Sequence, residues 1–242
     1  MKFQILSDLH LEFFKNSEKI PFIESLKCDV DYTLVAGDVS TGVNMLKDYE
    51  LLAEILDPII FIAGNHEYYN SNRRYVDTLL SQTTKGVFLN NNILKLDDVI
   101  IIGGTGWNSE FNHIGASKMN DFRLIEDFVN DAQVSTEWAD LTYNYFEDML
   151  KHFNGNEKVI CMTHNAPLHE CIPEKYKGDS LNPFFANDWR DLFQYNPNLW
   201  VYGHMHESSD FYQENTRVIE NSFGYVDHDE NVNFNKNLII DI

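Results

Sequence analysis

Basic residues are scarce in this chain. Lysine and arginine number 18 against 38 aspartates and glutamates, a formal net charge of −20 over 242 residues. No diffuse cationic surface is available to neutralise a nucleic-acid backbone, which argues against nucleic acid as a partner unless a basic protein recruits the chain to it. Cysteine is also scarce: Cys28, Cys161 and Cys171 are an odd count without paired spacing. That pattern excludes a disulfide framework and fits thiols packed as small apolar groups in a reducing compartment. No apolar run reaches membrane-spanning length, and an apolar strand beginning at residue 3 leaves no room for a signal peptide. A cytoplasmic protein without a membrane partner is therefore expected. Linkers, repeats and low-complexity tracts are missing too, so residues 1–242 read as a single domain.

What is present is ample apolar content, 43% of the chain, arranged in short runs. Phe3–Leu6, Tyr32–Ala36, Ile59–Ala63, Val99–Ile102, Val159–Met162, Leu199–Tyr202, Arg217–Glu220 and Leu238–Ile242 are too short and too continuous for amphipathic helices and are predicted as strands. Helical spacing is predicted over Asn44–Leu56, Ser71–Leu80 and Glu126–Phe153. The alternation implies an α/β fold. Thr105–Arg123 and His169–Asn187 lack such patterning and are expected to be long loops that shape a pocket.

Five polar blocks follow apolar runs: Asp8-Leu9-His10, Gly37-Asp38, Gly64-Asn65-His66-Glu67, Thr163-His164 and Gly203-His204-Met205-His206. Ligands of open α/β sheets bind at the carboxyl ends of strands, where such blocks converge. Asp8 and His10 are spaced i, i+2, so both can point to one side of a strand exit and hold one ion, and His204 and His206 repeat that spacing late in the chain. Asp38 has the oxygens to bridge two cations about 3.5–4 Å apart. Imidazoles, carboxylates and one amide without thiols suit divalent ions such as Mn, Fe, Zn or Ni. Any one block alone could be a turn, a helix cap or a satisfied core histidine; the order of all five points to a two-metal hydrolase.

That order and content resemble the calcineurin-like metallophosphoesterase superfamily from Asp8 to His206. The resemblance implies a four-layer sandwich of two mixed β-sheets flanked by helices, with a dinuclear site at one sheet edge. It implies that Asp8, His10 and His206 bind the first metal and Asn65, His164 and His204 the second, with Asp38 bridging. His66 would lie just outside the ligands as general acid, and Glu67 would orient its neighbours. The cofactors would be two divalent ions, with manganese the first choice, and the activity hydrolysis of a phosphodiester or phosphomonoester through a metal-bridging hydroxide.

Serine/threonine protein phosphatases of the superfamily carry Asp-Arg-Gly three residues after the bridging aspartate and an arginine before Gly-Asn-His-Glu. Here those places hold Thr41-Gly42-Val43 and Ala63, so the bidentate clamps for a protein phosphate are missing. Trp107, Met119–Arg123, Trp200 and Asn221–Tyr225 look most like small bacterial and phage-type members, and a small or nucleotide-like phosphoester substrate is expected. Arg123 and His113 in the first long loop, and Tyr68 with Tyr69 after Glu67, are candidate substrate contacts. Arg123 could equally pair with Glu126 or Asp127, and the tyrosines could pack at a helix start. A silent protein-binding scaffold on the same fold, and a nuclease recruited by a basic partner, are the competing readings.

Overall fold

The structure is a computed structural model that describes residues 1–153, 155 and 157–242. The first sheet runs β1 (Lys2–Leu6), β2 (Tyr32–Ala36), β3 (Ile59–Ile62) and β4 (Gly86–Phe88) in parallel. A late strand, β13 (Ile239–Asp241), is added antiparallel beside β1. The second sheet has the order β5 (Asn92–Leu96), β6 (Val99–Gly103), β7 (Lys158–Met162), β8 (Leu199–Tyr202), β10 (Thr216–Asn221) and β9 (Ser208–Gln213). Its four middle strands are parallel and its two edges antiparallel. A two-stranded ribbon joins β11 (Gly224–Tyr225) to β12 (Asp229–Glu230).

One core lies between the sheets, where Phe3, Ile5, Leu34, Ala36, Ile60 and Ile62 meet Ile101, Ile160, Met162, Leu199, Val201 and Ile219. The alternate residues face outward: Val35 and Phe61 pack on Tyr49 and Leu52 of α2 (Met45–Leu56), while Cys161 and Trp200 pack on Phe146 and Leu150 of α7 (Val134–His152). Strands buried on both faces read as unbroken apolar runs. All eight strands expected from the sequence are accordingly present with ends within one residue, as four layers of helix, sheet, sheet and helix.

The departures have local causes. The helix expected over Glu126–Phe153 is two, α6 (Glu126–Asn130) and α7, because Asp131 is extended (φ −150°) and its carboxylate accepts from the Gln133 backbone N–H at 3.1 Å. Helix α1 (Asn16–Ser25) has no apolar stripe: its buried residues are Ile23 and Lys19, whose ammonium is neutralised by Asp48 at 2.7 Å. Strands β5 and β9 sit at sheet edges with no fully buried residue, and β9 is mostly polar. The stretches 105–123 and 169–187 are long connections interrupted only by single turns, among them α4 (His113–Ala116), the start of α5 (Asp121–Leu124) and several 3-10 turns. No helix among the described residues is long and apolar enough to cross a membrane.

Candidate metal centre

The in-register parallel pairs end at one level, Ala36 beside Ile62 and Met162 beside Val201. Ser7, just after β1, bridges to Ser222, just after β10, and so ties the two sheets together at that end. All five polar blocks follow directly from strands that stop there.

The side chains do not converge by strand alternation. Asp8, His10, Asp38, His204 and His206 all have positive φ, between 44° and 74°, a region that costs about 1–3 kcal/mol per non-glycine residue. Aspartate and histidine tolerate it better than most types. Backbone bonds hold the geometry: Asp8 N–H donates to Gly37 O and His10 N–H to Asp38 O, both at 3.0 Å, and Gly203 N–H donates to His164 O at 3.0 Å. Space is equally tight, since a Cβ on Gly64 would stand 2.1 Å from Asp38 Oδ1 and one on Gly203 2.5 Å from Asp8 Oδ2.

Asp8, His10 and His206 form one cluster, and Asp38, His164 and His204 another, each with its ligand atoms within 4.8 Å of one another. Asp38 Oδ2 lies between them, 3.7 Å from His10 Nε2 and 3.4 Å from His164 Nε2. Asn65 Oδ1 joins the second cluster at 3.0 Å from His164 Nε2.

The chemistry of these donors calls for cations. His10 Nδ1 donates to Glu12 Oε1 at 3.1 Å, so its Nε2 carries a lone pair, which faces His206 Nε2 at 3.1 Å. His164 Nδ1 donates to Ala36 O at 2.8 Å, which leaves its Nε2 facing the two acceptor oxygens of Asn65 and Asp38. Acceptor against acceptor in a buried site is unfavourable unless a metal or a proton lies between. Asp8 and Asp38 are 0% and 1% exposed, and among the described residues no lysine or arginine pairs with either. The residues therefore fit divalent ions, and protons take their place in the free protein. Burial opposes a charge on His164, but Asp38 and Asp8 overcome it and hold its pKa up at about 10. Burial and the charge on His164 keep His204 neutral, down at about 3. Burial likewise pushes the Asp8 carboxyl up, yet His206 and His164 prevail and hold it well below its usual range.

His66 lies against both clusters, and its ring forms a third group of possible ligands with His10 and Asp38. Its N–H donates to Asp38 Oδ1 at 2.9 Å, its Nδ1 meets Glu12 Oε1 at 2.9 Å and its Nε2 meets Tyr225 Oη at 3.2 Å. Burial lowers its basicity, but Asp38 and Glu12 outweigh burial and raise it to about 9. Glu67 accepts the N–H groups of Asp38, Val39, Ser40 and Gly64 at 2.7–3.2 Å, together with the Tyr49 hydroxyl, and so locks two ligand loops together.

A cleft of about 290 Å³ opens over Asp38, Asn65, His66, His204 and His206, walled by Tyr69, Lys118, Asn120, Phe185, Met205 and Tyr225. Of the four expected substrate contacts Tyr69 is on it, and Arg123, His113 and Tyr68 are not. Arg123 donates to the Lys118 carbonyl at 2.9 Å, bracing that loop from behind rather than pairing with Glu126 or Asp127. His113 packs edge-on against Phe111. Tyr68 is buried between Trp107 and Trp138, its hydroxyl on Asp77. Residues that motif reading passed over do reach the site. Glu12 couples His10 to His66, and Ser222 donates to Asp8 Oδ2 at 2.8 Å. Asp121 accepts from Asn65 Nδ2 at 2.9 Å and so turns Oδ1 toward the clusters. The signals were faint: Glu12 stands i+2 from His10, and Asp121 lies two residues before the arginine that drew attention instead.

The model of the calcineurin-like phosphoesterases matches residues 1–208 of this sequence. The chain belongs to that family. It is a metal-dependent phosphoesterase, a hydrolase whose His/Asp clusters are its expected metal site. An uncharacterized protein, L509 of Acanthamoeba polyphaga mimivirus, is 31% identical over 271 residues, covering 98% of this chain and 95% of the viral one. Among solved structures the phosphoesterase is similar to phosphopantetheinyl hydrolase from Mycobacterium tuberculosis, with a TM-score of 0.70, 19% identity and 93% and 89% of the two chains covered. It is also similar to GAP50, the anchor in the inner membrane complex of Plasmodium, with a TM-score of 0.55, 12% identity and 97% and 75% coverage. At such identities the likeness is one of fold.

Proposed function

We propose that this phosphoesterase works with two divalent ions, manganese first among the candidates, and hydrolyses a small or nucleotide-like phosphodiester or phosphomonoester. In this reading Asp8, His10 and His206 hold one ion, Asn65, His164 and His204 the other, and Asp38 both. The observation that carries it is the position of Asp38 Oδ2 between His10 Nε2 and His164 Nε2, at 3.7 and 3.4 Å. Two bound ions would polarise the phosphoryl oxygens and lower the pKa of an attacking water. The chain's own groups do the rest. His66, held protonated by Glu12 and Asp38, gives the Nε2 proton to the departing ester oxygen. Tyr225 Oη meets that same Nε2 and holds the ring in place until the ester oxygen replaces it as the acceptor. Lys118, on the cleft wall, attracts the substrate's phosphate in a strongly acidic protein.

The intact ligand set supports an enzyme rather than a silent scaffold. Unpaired thiols and a net charge of −20 support a cytoplasmic site of action on a small substrate. The test is hydrolysis of bis-p-nitrophenyl phosphate and p-nitrophenyl phosphate side by side, with Mn²⁺ added or removed. Metal-dependent turnover that vanishes in Asp38→Asn is expected, and the better substrate separates diesterase from monoesterase. Turnover that survives both chelation and that substitution would overturn the reading.

A further inference from the structure

Phe185 and Met205 line the cleft on one side and a second cavity on the other. Behind these two side chains lies a slot of about 170 Å³ walled also by Ile172, Tyr176 and Leu181. Met205 stands between two of the metal-binding histidines, and the Phe185 ring stacks on His204 at 4.5 Å between centroids. The slot therefore begins one ring away from the phosphate position.

Its character is unlike that of the cleft. The walls are aliphatic and aromatic, and the polar side chains among them are Asp179 and Asn182. Both sit where the slot meets an outer groove that carries acidic and basic groups together, Glu110 and Glu170 beside His169 and Lys177. The residues that line the slot itself offer a second phosphate or another anion Asp179 and no cationic group, whereas an apolar group would leave water for an apolar surface. A cavity of about 150 Å³ lined by aliphatic and aromatic side chains accommodates benzene, so this one has room for about six carbons.

We propose that the slot receives an apolar ester group of the substrate, so that the enzyme selects alkyl or aryl phosphoesters over esters of polar alcohols. This rests on the metal cleft being the phosphate site, as proposed above. It assigns the choice of substrate to residues 172–185 rather than to Arg123 or His113.

The test is calorimetric binding of n-alkylphosphonates, from methyl to octyl, to the Mn²⁺-loaded protein. The dissociation constant should fall about fourfold per methylene and level off near six carbons. Leu181→Trp, which fills the slot, should bring the ratio of methyl to hexyl dissociation constants to about one; Ile172→Trp serves the same purpose should the first variant fail to fold. A flat series in the unaltered protein, or a full chain-length gain in a well-folded slot-filling variant, overturns the proposal. Hydrolysis of the nitrophenyl esters is read separately. A rising affinity series without hydrolysis of any ester upholds the slot and defeats the phosphoesterase reading on which catalysis rests. Hydrolysis with a flat series does the reverse.

Discussion

The floor of the cleft and its wall are built by different means. On the floor, Asp8, His10 and His164 are wholly buried, and the ligand loops are held in left-handed turns by backbone bonds and by Glu67. Part of the wall, Lys118, Asn120 and Phe185, comes from the two long connections, 105–123 and 169–187, whose short turns expose Lys118 and leave Phe185 and Leu181 half-buried. Strain over-determined by a packed scaffold is affordable where one geometry serves every substrate. Loops on the surface can vary without disturbing that scaffold. Reaction type should therefore reside in the floor and substrate choice in the wall.

Substitutions can break that division or sharpen it. The largest effect is expected for Asp38→Asn, which removes the shared oxygen from both clusters and should abolish turnover. His66→Ala should lower turnover by about 10²–10⁴ while metal content is unchanged; loss of metal along with rate would show that His66 is a ligand rather than the acid. Glu12→Gln retains the shape but weakens the hold on both His10 and His66, and a loss of about 10–100-fold in metal affinity or rate is expected. On the wall, Lys118→Ala should raise KM by a few-fold, about 1 kcal/mol, with kcat little altered. Arg123→Ala, behind the loop, should change either constant by no more than about twofold. A wall variant as damaging to kcat as His66→Ala would end the distinction.

The same division governs what could be read from the residues alone. Asp8, His10, Asp38, Asn65, His164, His204 and His206 stand after unbroken apolar runs, and strands buried on both faces give a strong signal whose ends are then fixed by the polar blocks. The i, i+2 spacing of Asp8 and His10 implied that the two side chains converge, and they do, but through left-handed turns rather than pleat alternation. Glu12 acts through a hydrogen-bond geometry with no local pattern to announce it, while Asp121 and Ser222 stand in the segments Met119–Arg123 and Asn221–Tyr225, whose likeness to the family carried no role for either residue. Arg123, His113 and Tyr68 were chosen by residue type and loop position. Their orientation depends on tertiary contacts with Lys118, Phe111 and Trp107 that no local sequence pattern encodes. Helix α1 and the edge strands β4, β5 and β9 escaped notice because they bury one face or less.

Protons and metals compete for the floor, which gives the account a thermodynamic handle. His164 has its pKa raised from 6.5 to about 10. Its contribution to the stability of the metal-free protein is thus complete below about pH 6.5 and is lost as pH rises toward 10. Metal binding must expel that proton, so affinity should strengthen as pH rises across the same interval, with proton release on loading. The most direct test of a shared two-ion site is a Mn²⁺ titration of the chelator-treated protein near pH 7.5, with bound metal, released protons and hydrolysis of bis-p-nitrophenyl phosphate or p-nitrophenyl phosphate followed together. The account predicts two ions per chain, net proton release, and activity that tracks the second ion. One ion per chain at full activity, or full activity with none, would contradict it.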